Sequence, residues 1–123
     1  MFKRYFTPAE ASKRLPLVKN IVLDILKKGK NFRTLVHQSQ SQELTKEAEA
    51  IKAEIEGLTK ELEDLGCFYK DWNFEIGLVD FPALIEGKQV LLCWRSDEVE
   101  VRWYHSVDEG YIGRKLIPQE LLV

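Results

Sequence analysis

The sequence has few of the residues that build disulfide frameworks or metal sites. Of its 123 residues, two are cysteines, Cys67 and Cys93, and two are histidines. Neither a Cys-x-x-Cys nor a His-x-x-x-His spacing occurs, so the spacing gives no support for a structural zinc site. Unpaired cysteines in a reducing compartment are usually small buried residues. We therefore expect no metal ion and no cofactor.

Long apolar segments are also missing. No apolar run approaches the roughly 20 residues that span a bilayer. The N-terminal stretch "MFKRYFTPAEASKR" lacks the apolar core of a signal peptide. These absences predict a cytoplasmic protein without membrane contacts. The length fits one domain, residues 1–123, and the content of 45% hydrophobic and 31% charged residues is typical of a globular chain.

Charge is unevenly distributed along the chain, although the net charge is only −2. Residues 1–42 carry nine Lys or Arg against two acids, a local +7, whereas residues 43–65 carry three lysines against eight acids, a local −5. Such neighbours are expected to pair with each other. The alternative is a nucleic-acid patch, which the adjacent acidic segment would neutralise, so nucleic acid is not favoured as a partner. That patch would comprise Lys27, Lys28, Lys30 and Arg33.

The first half of the chain has the pattern of two helices. Thr7 is a typical N-cap, Pro8 fits the first helical position, and Glu10 completes a capping box. Apolar residues then recur at alternating spacings of three and four, as in a coiled-coil seam that only Gly29 interrupts. The two seams comprise Leu15, Val18, Val22, Ile25, Phe32 and Val36, and Leu44, Ala48, Ile51, Ile55, Leu58, Leu62 and Leu65.

Breaker residues divide this pattern. Pro16 predicts a kink or short break near Arg14 to Leu15, because proline cannot donate a helical hydrogen bond. The polar stretch "HQSQSQ", residues 37–42, is the expected bend, and Gly66 is suited to end the second helix. The prediction is a long antiparallel, coiled-coil-like helical hairpin over residues 8–65.

The apolar stripe of the first helix is wide before Gly29 and narrow beyond it. A wide stripe covers more than one partner. The base of the hairpin is therefore expected to pack on the C-terminal half, while the tip projects and remains poorly covered. Self-association into a homodimer is predicted for the tip, with another protein partner as the alternative. The residues concerned are Phe32, Leu35, Val36, Leu44 and Ile51.

Residues 66–123 lose the helical period. Turn residues alternate with strand-length apolar runs, which predicts a small antiparallel β-meander packed on the hairpin base. The fold class is therefore α+β. The predicted strands are "FEIGLVDF", "KQVLLCWR" and "VEVRWYH".

A tight turn at Ser96-Asp97 would pair Arg95 with Glu98. This register predicts a core face of Val90, Leu92, Trp94, Val99, Val101 and Trp103. The opposite, wet face would contain Leu91, Cys93, Arg95, Glu98, Glu100, Arg102 and Tyr104. Cys93 and His105 would then lie about 17 Å apart on opposite faces, which excludes a nucleophile and base pair.

A two-residue turn at Glu86-Gly87 would pair Asp80 with Cys93 and place Asp80 beside Arg95 on the wet face. One interpretation is a structural ion network that also includes Glu100 and Arg102. The other is a small site for an anion or carboxylate built on Asp80, Arg95, His105 and Arg114. His105 is expected to be half-buried at the end of the core face. Arg114 would bind a carboxylate of a ligand or of Asp108 or Glu109. Pro82 suggests an edge strand.

Four stretches together resemble a prokaryotic family known as domain of unknown function 2203. They are "YFTPAEASKRLPLV", "GLVDFPAL", "LLCWR" and "WYHSVDEGYIGR". The resemblance implies a small bacterial cytosolic protein and carries no assigned reaction, so no catalytic residue follows from it. The family's motif positions here are Asp80, Phe81, Pro82, Cys93, Trp94, Arg95, His105, Gly110, Gly113 and Arg114.

The leading functional hypothesis is a non-enzymatic interaction module that self-associates through its helical hairpin. The alternative is the anion- or carboxylate-binding site, which includes an enzymatic role for Asp80 or His105 in handling a proton. No catalytic residue is assigned at this point.

Overall fold

The computed structural model describes residues 2–39 and 43–122. Two helices are followed by five strands that form one antiparallel sheet in sequence order. This architecture confirms the predicted α+β class. The helices are α1 (Pro8–Gln38) and α2 (Lys46–Leu65), and the strands are β1 (Phe68–Tyr69), β2 (Leu78–Ile85), β3 (Lys88–Arg95), β4 (Trp103–Ser106) and β5 (Lys115–Leu116).

The helix ends follow the signals in the sequence. The Thr7 hydroxyl accepts from the Glu10 backbone N–H, and the Glu10 carboxylate accepts from the Thr7 backbone N–H. Gly66 ends α2 in the left-handed region, with φ of 99°. Of the kink or short break predicted near Arg14 to Leu15, the break is wrong, because α1 is continuous through Pro16. Burial of Leu15 and Val18 on either side holds the helix despite the lost hydrogen bond. Residues 40–42 of the predicted bend lie outside the described residues.

The base of the hairpin and one face of the sheet share one hydrophobic core. Buried residues of α1 and α2 cluster with buried residues of β2 and β3, including Val18, Val22, Ile25, Leu62, Phe81, Leu92 and Trp94. Across the helical seam, Lys28 Nζ lies 2.8 Å from a Glu54 carboxylate oxygen. Toward the tip, Phe32 and Ile51 are only partly buried, and Val36 is exposed. The contrast between base and tip is the one predicted from the stripe width.

The loop between β1 and β2 locks the sheet to α1. Phe74 packs onto Gly29, where an added Cβ would lie 2.1 Å from the Phe74 Cγ. The Asp71 carboxylate shapes this loop by accepting hydrogen bonds from four backbone N–H groups, those of Asn73, Glu75, Ile76 and Gly77. The glycine that interrupts the seam is therefore a docking position for the C-terminal half.

The predicted pairing of β2 with β3 is confirmed. Asp80 pairs with Cys93 and Phe81 with Leu92. Both turn residues have positive φ, 52° at Glu86 and 79° at Gly87, as a type I′ hairpin turn requires. The edge position predicted from Pro82 holds only locally, because β2 lies between β1 and β3. β1 pairs with Val79 and Asp80, and among the described residues no strand pairs with Pro82 on that side.

The predicted register of β3 with β4 is wrong. The tight turn exists, since the Glu98 backbone N–H donates to the Arg95 carbonyl at 2.8 Å. The chain then leaves the sheet and returns at Trp103, which pairs with Cys93. Side-chain bonds replace the expected ladder: the Trp94 indole donates to the Glu98 carbonyl, and the Val101 backbone N–H donates to the Ser12 hydroxyl.

This shift of three residues moves the side chains of β4 to the face opposite to the predicted one. Neighbouring side chains of a strand point to opposite faces, so a shift by an odd number of residues exchanges the two faces. Val99, predicted in the core, is 91% exposed, and Trp103 lies on the face away from the helices. Tyr104 takes its place against the core. The face predicted to be wet is largely covered, with Leu91 and Cys93 buried.

Candidate functional site

Three chemically reactive side chains converge on the sheet face that points away from the helices. Asp80 of β2, Cys93 of β3 and His105 of β4 are 3%, 1% and 3% exposed. One ligand atom from each residue lies within 4.8 Å of the others. The predicted separation of Cys93 from His105 is therefore wrong. Because His105 pairs with Leu91, two positions from Cys93, both side chains leave the same face.

The hydrogen bonds of His105 define which ring nitrogen faces the cluster. Nδ1 lies 2.8 Å from the backbone carbonyl oxygen of Ser106, which can only accept, so Nδ1 carries a proton. Nε2 faces an oxygen of the Asp80 carboxylate at 3.3 Å. The carboxylate holds the pKa of His105 above its ordinary value, against the opposing effect of burial.

Cys93 is a protonated thiol in these surroundings. Burial is the main cause and the Asp80 carboxylate adds to it, so the pKa of Cys93 rises to about 12 although the nearby Arg114 guanidinium lowers it. A thiol of this kind is a poor free nucleophile, since the thiolate is the reactive form. Cys67, buried beside Leu62 on the other side of the sheet, is equally inert, with a pKa raised to about 12 by burial.

Arg114 lies next to Cys93 and interacts with its thiol. Its two terminal nitrogens donate to both oxygens of the Glu98 carboxylate at 3.0 and 2.8 Å. Its guanidinium carbon lies 4.5 Å from the Trp103 ring centroid and 4.6 Å from that of Tyr111. The carboxylate partner is Glu98, and neither Asp108 nor Glu109 takes that role. This enclosed arrangement holds the segment after β4 over the sheet.

The predicted lattice around Asp80 does not form. Arg95 donates to the Asp97 carboxylate at 2.6 Å and to the Tyr111 hydroxyl. Arg102 pairs with Glu100 at 2.9 Å. Asp80 has His105 as its partner instead. Of the four predicted ligand-binding residues, Asp80 and His105 touch each other, whereas the ion pairs of Arg95 and Arg114 are made with Asp97 and Glu98.

A cavity of about 330 Å³ opens onto the cluster. Asp80, Cys93 and His105 form part of its wall. The remaining lining residues are Lys70, Leu78, Leu91, Val107, Glu109, Gly110 and Tyr111. A buried set of carboxylate, thiol and imidazole beside an accessible cavity has the composition of a transition-metal site with an open position.

The sequence patterns did not indicate this cluster for two reasons: the metal-ligand spacings considered were short, and the predicted register of β3 with β4 separated Cys93 from His105. Here the ligands come from three strands, and only the register of β3 with β4 brings His105 to Cys93. The available signal was the pairing of Asp80 with Cys93, which the turn at Glu86-Gly87 had already indicated.

Comparisons with known proteins add one finding. Searches of curated proteins and of solved structures gave no match. Within the described residues, neither helix is long and apolar enough to cross a membrane. A family profile described as "Uncharacterized conserved protein (DUF2203)" matches residues 4–117, and the chain therefore belongs to that family.

Proposed function

We propose that this protein binds a divalent transition-metal ion of the zinc class through Asp80, Cys93 and His105. The observation that carries the proposal is the convergence of three buried ligand atoms, one from each residue, within 4.8 Å of one another. Nδ1 of His105 donates to the Ser106 carbonyl, so Nε2 faces the Asp80 carboxylate at 3.3 Å. A proton on Nε2 or a metal ion satisfies this contact. A metal ion would also engage the Cys93 sulfur, which a proton on Nε2 does not do.

The ligand set favours zinc over magnesium or calcium. Thiolate and imidazole are preferred by zinc, whereas the harder cations select oxygen ligands. Zinc–ligand distances of about 2.0–2.3 Å imply ligand separations of roughly 3.3–3.8 Å in a tetrahedron. The Asp80–His105 separation of 3.3 Å already fits. The Ser106 backbone carbonyl accepts a hydrogen bond from Nδ1 of His105. Metal-binding histidines are commonly oriented by such a hydrogen bond from the ring nitrogen that does not bind the metal.

Metal binding can be tested with variants matched by residue type, because the chain has two cysteines and two histidines. Cys93→Ser and His105→Gln remove proposed ligands. Cys67→Ala and His37→Gln make comparable changes elsewhere. Zinc affinity is measured by competition with a chromophoric chelator, and cobalt(II) loading is followed by visible absorption.

The proposal predicts one zinc per chain and a thiolate-to-cobalt band in the visible spectrum. Cys93→Ser should lose that band, and His105→Gln should weaken zinc binding by at least a factor of about 10. The Cys67→Ala and His37→Gln proteins should behave like the parent. Circular dichroism establishes that each variant is folded. Absence of zinc binding by the parent, or equal affinity in all folded variants, would overturn the proposal.

A second candidate function is self-association through the hairpin tip. Val36 is 40% exposed, and Phe32, Leu35, Leu44 and Ile51 are only partly buried. A second copy is the partner that suits this surface best. The basic first helix of one copy could align with the acidic second helix of the other, as residues 1–42 carry a local +7 and residues 43–65 a local −5.

Light scattering at high micromolar protein concentration tests the dimer. The parent should elute as a dimer, and Val36→Asp should shift it to the monomer with no loss of helical signal. Leu23→Asp, a similar change at an exposed position nearer the base, should remain dimeric. A parent that is strictly monomeric would refute this candidate. Cytoplasmic location and bacterial origin remain predictions from the sequence.

A further inference from the structure

We propose that the open coordination position of this metal site receives an oxyanion, a carboxylate or phosphate of a small ligand, whose charge is also paired by Lys70. The inference rests on the proposed metal-binding function and names the class of ligand that the site would take. It differs from the anion site expected from the sequence, because the cation at the cavity is Lys70 and not Arg95 or Arg114.

The first support is the state of the cationic side chains near this face. Arg95 is paired with Asp97 and Arg114 with Glu98, so neither is free to attract an anion. Lys70 lines the same cavity as the cluster and is exposed to solvent. Among residues 2–39 and 43–122, no carboxylate forms an ion pair with its ammonium group.

The second support is the charge balance once a divalent ion is bound. The Asp80 carboxylate and a Cys93 thiolate together neutralise such an ion, because His105 is a neutral ligand. The Lys70 ammonium group then remains as a positive charge in the cavity wall that forms no ion pair among the described residues, and the Glu109 carboxylate remains as a negative charge in the same wall. Glu109, the other acid in the cavity wall, accepts hydrogen bonds from the backbone N–H and hydroxyl of Ser106 at 3.4 and 3.1 Å.

The third support is the size and character of the cavity. A volume of about 330 Å³ suits a small molecule. Leu78, Leu91 and Val107 supply apolar wall. A less polar surrounding strengthens a contact between a metal ion and an anion. The fitting ligand is therefore a small organic molecule with one anionic group and an apolar portion.

The cobalt(II)-loaded full-length protein provides a direct test. Acetate, butyrate and inorganic phosphate are titrated separately at constant ionic strength, and acetamide serves as the uncharged control. Binding to the metal is read from the visible absorption spectrum. The variants are Lys70→Ala, Lys70→Arg and, as a matched control, Lys88→Ala, whose lysine is exposed at the β2–β3 turn.

A saturable change in the cobalt spectrum is expected with at least one oxyanion and not with acetamide. Stronger binding of a carboxylate than of phosphate would identify the carboxylate class, and the reverse would identify the phosphate class. Tighter binding of butyrate than of acetate would support the apolar portion of the ligand. Lys70→Ala should lower the affinity for the oxyanion that changes the cobalt spectrum at least tenfold. The spectrum of the anion-free protein should stay the same. Lys70→Arg should retain most of the binding, and Lys88→Ala should match the parent.

The outcomes separate this inference from the proposed function. If cobalt binds normally but no oxyanion alters its spectrum, the ligand class is wrong and the metal site stands. The inference is also overturned if an oxyanion binds equally well to Lys70→Ala and to the parent. If the parent fails to bind cobalt or zinc, both proposals fail together.

Discussion

The two halves of this molecule use charge in opposite ways. In the helical hairpin, the ion pair across the seam is open to water, with side chains of Lys28 and Glu54 that are 30% and 53% exposed. In the β half, Arg114 and Glu98 are enclosed, at 10% and 17% exposed. Exposed pairs help to select a partner and add little stability, whereas an enclosed pair is costly to break. The hairpin is therefore stabilised mainly by its apolar seam, and the β half also depends on specific polar contacts.

The largest test of this contrast is removal of one acid from each pair. Glu98→Gln should lower the free energy of unfolding by about 3–5 kcal/mol, because it leaves the Arg114 charge enclosed and uncompensated. Glu54→Gln, the same change in the hairpin, should leave the urea midpoint almost unchanged. Equilibrium urea denaturation measures both, and equal effects of the two substitutions would contradict the comparison.

A second test concerns a glycine in each helix. Gly29→Ala should destabilise the protein by about 1–3 kcal/mol, since the new methyl group would overlap Phe74. At Gly57 of α2 no atom of the described residues lies within 4 Å of an added Cβ, so Gly57→Ala should stabilise by about 0.5–1 kcal/mol. Thermal and urea unfolding measure whether each substitution raises or lowers the free energy of unfolding. A stabilising Gly29→Ala would show that the loop docks more loosely than the contact implies.

The loop that contacts Gly29 should be sensitive to pH through Asp71. Burial alone raises the pKa of this carboxyl, but its backbone N–H donors outweigh that effect and hold the pKa below its ordinary value. The stability that these hydrogen bonds contribute is present above the carboxyl pKa of the unfolded chain, about 3.9. It is lost as the pH falls through the lower pKa of the folded protein.

Asp71→Asn should therefore cost about 1–2 kcal/mol near neutral pH, and the difference from the parent should shrink in acid. Unfolding midpoints between pH 2 and 7 measure this change. Asp64→Asn, at an exposed position of α2, provides the control and should show no such convergence. A constant difference across the pH range would exclude the charged hydrogen bonds as its cause.

The smallest expected effect is at the tip of the hairpin. The Thr45 hydroxyl accepts from the Ala48 backbone N–H and caps α2, so Thr45→Ala should cost about 1 kcal/mol. Amide hydrogen exchange should show faster exchange in the first turn of α2 and no change in β2 and β3. Faster exchange throughout the sheet would mean that tip and base unfold together.

Prediction from the sequence succeeded where the responsible interactions are close in the chain. Thr7 with Glu10, Gly66, and the turn at Glu86-Gly87 each define a boundary or register through local backbone chemistry. At Pro16 the predicted short break is absent, because burial of Leu15 and Val18 outweighs the local helix-breaking preference of proline. Apolar alternation also selected the wrong register after Arg95, since it contains no information about a segment that leaves the sheet.

By itself, the sequence determined the two capped helices, their apolar seam, the pairing of Asp80 with Cys93 and the family to which the resemblance pointed. Only the tertiary structure decided that β4 enters three residues away from the predicted pairing. The reason is that Glu98 bonds to Arg114, sixteen residues later in the chain, and the indole of Trp94 bonds to the Glu98 carbonyl. Those contacts between distant residues bring His105 to Asp80 and Cys93 and thereby create the candidate site.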